Sequence, residues 1–377
     1  MGLLRAPSRR LLPQALMVIF ALALAGCAGE YPQSTLSPKG DFAELVDAVF
    51  MKTVWWATVI FVVVEAGLLW AVFKFRGKPD DPEPKQIHGS TVVEIIWTVI
   101  PAAVLAFVAV PTVQTIFKTA EIPAATAEGG EPLKVEVTGH QWWWEFHYPE
   151  LGIRTANELH VPVGRTIDLR MKTVDVLHSF WIPQFAGKRD VFPNRETRIW
   201  FTAKASGAYP GACAEFCGIQ HGKMLFYVMA DAPGDFEAWV TRMQTDTMPL
   251  VPPPAPMADS TALAASGPMA VDSAAPAVLA QAVDPKALEG EKLFTAKGCA
   301  GCHAVKSVNT PKVAVGPNLA GIGSRKMIAA GWMANTDANL KRWIMDPQGV
   351  KVGVKMPNLP MTDAEGDALV AYLRTLQ

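Results

Sequence analysis

The sequence has few charged residues and almost no net charge. Only 18% of the 377 residues are Asp, Glu, Lys or Arg, and the formal net charge is −1. A protein that binds a polyanion needs a basic surface, and the lysines and arginines here are scattered, so the composition argues against nucleic acid as a partner. Half of the residues are hydrophobic and the mean hydropathy is +0.19. These values predict membrane segments rather than an ordinary soluble enzyme.

Cysteine is also scarce: the chain has five among its 377 residues. They are Cys27, a pair at Cys213 and Cys217, and a pair at Cys299 and Cys302. Either the two pairs form disulfides in an exported protein and leave one odd thiol, or each group serves a separate chemistry.

The N-terminus has the pattern of an export signal. Three arginines precede an apolar run at 15–25, and residues 1–26 are expected to be a signal peptide that is removed. The run ends in Leu24-Ala25-Gly26-Cys27, which looks like a bacterial lipobox. Cys27 is therefore expected to become the lipidated first residue of the mature protein. The alternative is a plain signal peptide with a cysteine near its cleavage site.

Two further apolar stretches, 54–73 and 92–117, are each long enough to cross a hydrocarbon core of about 30 Å. The loop between them, 74–91, is rich in lysine and arginine, and the positive-inside rule places such a loop in the cytoplasm. Residues 27–53, and the part of the chain that follows the second span, are then expected outside the cytoplasm.

Four residues in or near these spans are unusual in a lipid-exposed helix. Pro101 and Pro111 are expected to interrupt the second span, which is tolerated where neighbouring protein satisfies the freed backbone groups. Glu65 lies deep in the first span and Glu94 near the start of the second. A carboxylate there is costly, so each is a candidate functional residue. The alternative for Glu94 is an interfacial residue in contact with lipid headgroups. The sequence assigns Glu65 no specific role.

The chain outside the membrane divides into two predicted domains. Short alternating runs separated by Gly and Pro in 130–243 predict an antiparallel β-sandwich or barrel. Residues 246–284 are rich in Pro, Ala and Ser and predict a semi-extended tether. Residues 285–377 are helical in character, with a capping box at Thr362 and Glu365. The predicted fold is multidomain: a two-helix transmembrane hairpin, an all-β domain and a small all-α domain.

The first cysteine pair belongs to a dense group of soft ligands. The segment Cys213-Ala-Glu-Phe-Cys217-Gly-Ile-Gln-His221-Gly-Lys-Met224 puts two thiolates, an imidazole and a thioether into twelve residues, a set that suits copper. Zinc is the first alternative, although structural zinc prefers four Cys or His ligands. A disulfide is the second, and it would leave His221 and Met224 unexplained. Alone, His178 would be a structural histidine, and its pairing with the cysteine loop makes it a candidate ligand.

Residues 41–242 resemble subunit II of cytochrome c oxidase, whose copper domain is a cupredoxin-like Greek-key barrel behind a two-helix anchor. The resemblance implies a dinuclear copper centre bridged by the two cysteines. Its implied ligands are His178, Cys213, Cys217, His221, a weak axial Met224 and the backbone carbonyl of Glu215. The carboxylate of Glu215 is similar to one that binds a magnesium ion shared with subunit I.

Two further motifs carry the resemblance. Gly139-His140-Gln141-Trp142-Trp143-Trp144 matches the family's aromatic stretch, in which the first tryptophan, here Trp142, is the point where electrons enter. The usual second aromatic is tyrosine, so Trp143 is a departure, and an aromatic core cluster remains the alternative for Trp143 and Trp144. The segment Val93-Glu94-Ile-Ile-Trp97-Thr98 matches one whose glutamate lies at the mouth of a proton pathway, which favours that role for Glu94.

The second cysteine pair lies in Cys299-Ala-Gly-Cys302-His303, which is the c-type haem signature with His303 as the proximal iron ligand. The alternative, a redox C-x-x-C motif, lacks the surrounding βαβ pattern and leaves the histidine unexplained. Residues 285–377 resemble small class I cytochromes c. Met356, in Lys355-Met356-Pro357-Asn358, resembles their sixth haem ligand, and Met361 is the alternative.

The combination resembles the fused subunit II of caa-type oxidases. It implies the electron-input subunit of a proton-translocating cytochrome-c oxidase in a bacterial plasma membrane, with its globular domains on the periplasmic face and haem c giving electrons to copper. The seven histidines include no membrane-helix cluster, so dioxygen reduction is expected in a partner, subunit I. The other expected partners are further oxidase subunits, an upstream donor (cytochrome c or a cytochrome bc complex) and membrane lipid.

Two alternatives remain from the sequence. One is the electron-input subunit of a related haem-copper enzyme such as a nitric oxide reductase. The other is a membrane-anchored periplasmic electron carrier with no catalytic partner. A quinol oxidase subunit is disfavoured because that family has lost the copper ligands.

Overall fold

The computed structural model describes residues 17–18, 31–77, 82–83, 86, 88–124, 130–245, 284–308 and 315–377. Most of the predicted signal peptide, Cys27 and nearly all of the predicted tether at 246–284 lie outside the described residues. Within the described part, two long helices are followed by a β-rich domain and then by a small helical domain.

Helix α1 (Asp41–Lys74) and helix α2 (Thr91–Ala120) are long and apolar enough to cross a membrane. Trp56 of α1 stacks on Phe107 of α2, with 6.0 Å between the ring centroids. Both helices extend beyond the predicted spans, because their ends continue out of the apolar stretches.

Helix α2 runs without a break through Pro101 and Pro111. The expectation that these prolines interrupt the second span is therefore wrong. Each proline removes one backbone hydrogen bond, and the turns on either side of it keep theirs, so the helical path is retained.

Ten strands form the β-rich domain. They are β1 (Leu133–His140), β2 (Trp143–Tyr148), β3 (Ile153–Ala156), β4 (Glu158–Pro162), β5 (Thr166–Thr173), β6 (His178–Trp181), β7 (Arg189–Val191), β8 (Thr197–Thr202), β9 (Gly207–Cys213) and β10 (Leu225–Asp231). Two five-stranded sheets result, in the orders β3-β2-β1-β5-β8 and β4-β10-β9-β6-β7. Strand β1 pairs in parallel with β5, and β4 with β10. The purely antiparallel arrangement expected from the alternating pattern is therefore wrong at these two pairings.

The core of this domain is rich in aromatic side chains. Phe180 and Phe226 stack with 4.3 Å between ring centroids, and Trp144 meets both edge-on. Gly211 is needed beside them, because a Cβ at this position would overlap the ring of Phe226. All three aromatic side chains are buried, so this cluster holds the two sheets together.

Both long helices are joined to strand β8. At the start of α1, the Asp41 carboxylate accepts a hydrogen bond from the backbone N–H of Thr202 at 2.8 Å, and Phe42 packs edge-on against Trp200. At the end of α2, the indole N–H of Trp200 donates to the carbonyl of Thr119 at 3.0 Å. The β-rich domain is thus held at the ends of both helices.

Helix α3 (Pro233–Gln244) closes the β-rich domain. The helical domain then contains α4 (Pro285–Ala296), a short hairpin of β11 (Met327–Ile328) and β12 (Met333–Ala334), α5 (Asp337–Met345), α6 (Pro347–Val350) and α7 (Asp363–Thr375). The predicted capping box is present at the start of α7, where Thr362 and Glu365 each bind the other's backbone.

The first and last helices of this domain, α4 and α7, cross closely. A Cβ at Gly290 would overlap the carbonyl of Ala368, and Phe294 packs against Tyr372 with 5.6 Å between ring centroids. The same Cβ at Gly290 would lie 2.7 Å from Tyr372 Cβ, so the two helices meet at Gly290, Phe294 and Tyr372.

Candidate metal centre and haem cavity

Two neighbouring strands bring the candidate copper ligands together. Cys213 is the last residue of β9, and Cys217, His221 and Met224 follow on the loop before β10. His178 is the first residue of β6, which pairs with β9, so the sheet itself holds this distant histidine against the cysteine loop. Among the described residues, ligand atoms of His178, Cys213 and Cys217 lie within 4.8 Å of one another.

The distances between candidate ligand atoms are nearly equal. The Cys213 and Cys217 sulfurs are 3.8 Å apart, His178 Nδ1 is 3.8 Å from Cys213 Sγ, and His221 Nδ1 is 3.7 Å from Cys217 Sγ. Met224 Sδ is 3.8 Å from Cys217 Sγ. Two ligands of one tetrahedral metal, with metal–sulfur bonds of about 2.3 Å, lie about 3.8 Å apart. The residues therefore fit metal ions held between them, and the cysteines are not joined by a disulfide.

The two candidate cysteine ligands lie close enough to change each other's pKa. The hydrogen bond between the thiols lowers the pKa of Cys213 and raises the pKa of Cys217. Both sulfurs are buried, as are His178 and Met224. A buried thiolate needs a compensating positive charge, and a metal ion bound between the sulfurs supplies it.

Asp175 orients His178 and is a residue that the sequence reasoning missed. Its Oδ1 lies 2.9 Å from His178 Nε2, and its Oδ2 accepts the backbone N–H of Gln141 at 2.7 Å. Burial opposes the charge on Asp175, but these hydrogen bonds outweigh it and hold the pKa of Asp175 well below its ordinary value. With Nε2 engaged, Nδ1 of His178 is the nitrogen left for a metal. An aspartate three residues before a candidate ligand was the available signal.

The backbone carbonyl of Glu215 lies 3.3 Å from Cys213 Sγ, which fits the expected ligand role of this carbonyl. The Glu215 side chain is exposed. Glu94 lies in the first turn of α2 and is also exposed.

The aromatic stretch divides among three environments. The Trp142 indole N–H donates to the carbonyl of Cys217 at 3.0 Å, and the Gln141 side chain donates to the same carbonyl at 2.8 Å. Trp143 stacks on His140, with 4.0 Å between ring centroids. Trp144 belongs to the aromatic core. Of the three tryptophans, Trp142 is the one hydrogen-bonded to a candidate copper ligand.

An apolar cavity in the helical domain is lined by all four candidate haem-binding residues, namely Cys299, Cys302, His303 and Met356. Nδ1 of His303 lies 2.8 Å from the carbonyl of Pro317, which leaves Nε2 as the ligand nitrogen. Burial lowers the pKa of His303, so the neutral, metal-binding form is favoured. Gly316 is required here, because a Cβ would lie 2.6 Å from the imidazole ring. These residues fit a covalently attached haem.

The alternative sixth ligand, Met361, packs against the core of the helical domain. It is not among the described residues that line the cavity. The structure thus favours Met356 over Met361 on position.

The same cavity is also lined by residues of the β-rich domain, including Gln141, Trp142 and Trp143. Trp142 therefore lines the cavity of the haem signature and also binds the carbonyl of Cys217. One side chain connects the two candidate sites.

Buried polar groups join the two domains. The Glu158 carboxylate of the β-rich domain accepts backbone N–H groups of Lys326 at 2.9 Å and Met327 at 3.2 Å. The Arg325 guanidinium is buried and donates to two carbonyls of its own domain, while lying 3.4 Å from Thr155 Oγ1 across the boundary. Sequence patterns gave no signal for this interface.

Lys351 is a second buried cation at the boundary. Its ammonium donates to the carbonyl of Lys223, on the cysteine loop, at 2.8 Å and to that of Ala329 at 3.1 Å. Burial, with a smaller contribution from the Lys223 charge, lowers the pKa of Lys351 to about 7.

Comparison with known proteins gives three family matches. The transmembrane domain of cytochrome c oxidase subunit II matches residues 31–115, its periplasmic domain matches residues 151–230, and cytochrome c matches residues 287–377. Together with the two apolar helices, the first match indicates a membrane-anchored protein with two spans.

Two relatives align over nearly the whole chain. Cytochrome c oxidase subunit 2 of Alkalihalophilus pseudofirmus is 34% identical, with 98% of this chain and 97% of the relative covered. Cytochrome c oxidase subunit 2 of Bacillus sp. (strain PS3) is 35% identical, with 96% of each covered. The crystal structure of the periplasmic domain of subunit II of cytochrome oxidase from Bradyrhizobium japonicum is 30% identical over 32% of this chain and 95% of that chain, with a TM-score of 0.30. The chain belongs to the cytochrome c oxidase subunit II family, in a form that carries a cytochrome c domain after the β-rich domain.

Proposed function

We propose that this chain is the electron-input subunit of a membrane-bound haem-copper oxidase. Electrons enter a covalently bound haem c, pass to a dinuclear copper centre and continue to subunit I, where dioxygen is reduced to water and protons are translocated. The observation that carries the proposal is the cavity shared by the haem signature and Trp142, whose indole is hydrogen-bonded to the carbonyl of Cys217.

In this proposal Cys213 and Cys217 would hold two copper ions between them. The remaining ligands are His178, His221, Met224 and the carbonyl of Glu215, and the inter-ligand distances near 3.8 Å support this set. A copper pair held there would supply one-electron transfer. The exposed carboxylate of Glu215 is free to share a magnesium ion with subunit I.

The chain's own residues keep the copper centre rigid. Asp175 fixes the ring of His178, and strand pairing between β6 and β9 fixes its distance from Cys213. The amide of Gln141 and the indole of Trp142 both hold the Cys217 carbonyl. Because these groups are fixed before the electron arrives, little reorganisation accompanies its transfer.

Cys299 and Cys302 would hold the haem through thioether links, and His303 and Met356 would bind its iron. The methionine ligand raises the haem reduction potential. The helical domain is packed on the β-rich domain through buried polar contacts, and this supports transfer within one chain rather than between two proteins.

The assembly follows from the same proposal. The two helices cross the bacterial plasma membrane, and both globular domains lie on the periplasmic face. Partners are subunit I, other oxidase subunits, an upstream cytochrome c or cytochrome bc complex and membrane lipid, with Cys27 as a lipid attachment site. Glu94, near the cytoplasmic start of α2, contributes to a proton pathway entrance in subunit I.

The test uses the full chain, matured with copper and haem and purified in detergent. Copper and haem content are measured with low-temperature EPR and optical spectra. Two coppers that share one unpaired electron, and a six-coordinate c-type haem that reduces them, are expected. Zinc or a single copper in the cysteine loop would contradict the dinuclear centre.

A substitution at Trp142 tests whether electrons pass from haem to copper through this side chain. Trp142→Phe is expected to slow reduction of copper by haem while both cofactors remain bound. Trp239→Phe is the control, because Trp239 is a buried tryptophan of α3 that packs on His160 and does not line the cavity. Equal transfer rates in the two variants would contradict the role of Trp142.

A further inference from the structure

One segment of the helical domain, residues 350–356, lies across the cysteine loop of the β-rich domain. The segment ends at Met356, the candidate haem ligand. Three of its residues contact the loop. Lys351 donates to the carbonyl of Lys223, and the carbonyl of Val352 accepts from the side chain of Gln220. Gly353 packs against Ile219. A single short stretch of chain therefore touches both candidate cofactor sites.

This segment also brings a cation to the group that orients a copper ligand. Lys355 Nζ lies 3.5 Å from Asp175 Oδ2. The other oxygen of the same carboxylate, Oδ1, lies 2.9 Å from Nε2 of His178. A lysine of the helical domain is thus connected through one carboxylate to the imidazole that faces Cys213.

We propose that Lys355 is a positioning residue for the copper centre, acting through Asp175 to raise the reduction potential of the copper pair when the helical domain is docked. The inference rests on the proposed function, since it requires a copper pair at His178 and Cys213. Nothing in the family resemblance assigns Lys355 a part in the copper site.

Two effects of Lys355 raise the reduction potential of the copper pair. A positive charge near the copper pair favours its reduced form, which carries less positive charge. The ion pair with Lys355 also draws the negative charge of Asp175 away from the imidazole, so His178 becomes a weaker donor to the oxidised metal. Both effects make the copper pair a better electron acceptor.

The size of the expected change in copper potential depends on how exposed the Lys355–Asp175 ion pair is to solvent. The Lys355 side chain is 52% exposed and that of Asp175 is 18% exposed, so solvent screens part of the interaction. Pairs of this kind contribute at most about 1 kcal/mol, which corresponds to roughly a twofold to fivefold change in the equilibrium constant for reduction of the copper pair.

The contact exists because the segment is docked. Lys351, Val352 and Gly353 fix the path of the chain up to Lys355 through their contacts with the cysteine loop. Copper therefore accepts electrons more readily from a haem domain that is in place than it would with the domain displaced.

The test is a redox titration of the full chain, loaded with copper and haem, in the native form and as Lys355→Gln. The copper potential is expected to fall by roughly 20 to 40 mV, which is the twofold to fivefold change at 59 mV per tenfold. Lys355→Arg keeps the charge and is expected to restore the native potential.

The matched control is Lys286→Gln. The Lys286 side chain is also 52% exposed, and its ammonium lies 3.7 Å from Asp367 within the helical domain. The control removes the same charge from the same domain without touching Asp175. A copper potential that falls equally in both glutamine variants, or in neither, overturns the proposal.

Two further readouts separate a route through Asp175 from a general loss of charge. In an Asp175→Asn background, Lys355→Gln is expected to shift the copper potential less than in the native background. Pulsed EPR of the His178 nitrogen coupling is expected to change in Lys355→Gln and to remain native in Lys286→Gln. The route through Asp175 is overturned if the His178 coupling stays native in Lys355→Gln and if Lys355→Gln shifts the copper potential equally with and without Asp175→Asn. A native chain without a shared unpaired electron overturns the proposed function as well.

Discussion

The buried ammonium of Lys351 predicts how the stability of the docked helical domain depends on pH. Its pKa is lowered to about 7 in the folded chain, from an ordinary value of 10.5. When the helical domain unfolds, Lys351 returns to water and regains its ordinary pKa. Between these two values the unfolded state therefore binds more protons than the folded state.

The sign follows from this difference in protons. Where the unfolded state holds more protons, the free energy of unfolding rises with pH. The slope is at most about 1.4 kcal/mol for each pH unit that lies between the two pKa values. From pH 7.5 to pH 9 the contribution of Lys351 is therefore expected to grow by about 1 to 2 kcal/mol. Well below pH 7 both states are protonated and this contribution has no slope.

The perturbation is Lys351→Met, which keeps most of the side-chain volume and removes the titrating group. The free energy of unfolding of the helical domain in the full chain is measured in urea at pH 6 to 9, followed by tryptophan fluorescence and circular dichroism. The variant loses hydrogen bonds to the carbonyls of Lys223 and Ala329, so its absolute stability changes. The informative quantity is the difference in slope between the two proteins.

We expect the native chain to gain stability relative to Lys351→Met as the pH rises from 7.5 to 9. Lys286→Met, which removes an exposed lysine of the same domain, is expected to keep the native slope. Parallel pH curves for the native chain and Lys351→Met would refute the reasoning. So would a steeper rise in the variant.

Three further outcomes are expected. Gly290→Ala places a methyl group against a backbone carbonyl of α7, so circular dichroism should show loss of helical structure, whereas Gly234→Ala, in α3 with open space around it, should fold normally. Phe226→Ala removes a fully buried ring and should lower the free energy of unfolding of the β-rich domain in urea by about 3 to 5 kcal/mol; an effect below about 1 kcal/mol would contradict its core position. Asp175→Asn should weaken copper retention in dialysis by about 10-fold to 100-fold, because the carboxylate that orients His178 is lost, and native retention would contradict that role.

Local patterns predicted most of the candidate ligands because these residues are close in sequence. The segment from Cys213 to Met224 carries its chemistry within one loop, and the haem signature is contained in five residues. His178 is distant, and its place beside Cys213 depends on the pairing of β6 with β9. From the residues alone His178 was a candidate ligand, and the resemblance to a known family added its implied role in a dinuclear copper centre.

The parts that sequence reasoning missed depend on contacts between distant segments. The parallel pairings of β1 with β5 and of β4 with β10 leave no mark on the alternation of apolar residues, which is the same for either direction. Arg325 and Lys351 are buried because one domain covers the other. In sequence they have the appearance of ordinary surface cations.

The joint between the helices and strand β8 has a mechanical consequence. Helix α1 has 34 residues and is therefore about 50 Å long, whereas the hydrocarbon core of a bilayer is about 30 Å thick. Much of the remaining length forms a stiff stalk that ends at Asp41, against Thr202. Helix α2 is joined to the same strand by the hydrogen bond between Trp200 and Thr119, so the β-rich domain is attached to both helices. These two attachments set the height and tilt of the cysteine loop above the lipid surface. They also restrict rotation of the β-rich domain relative to the two helices.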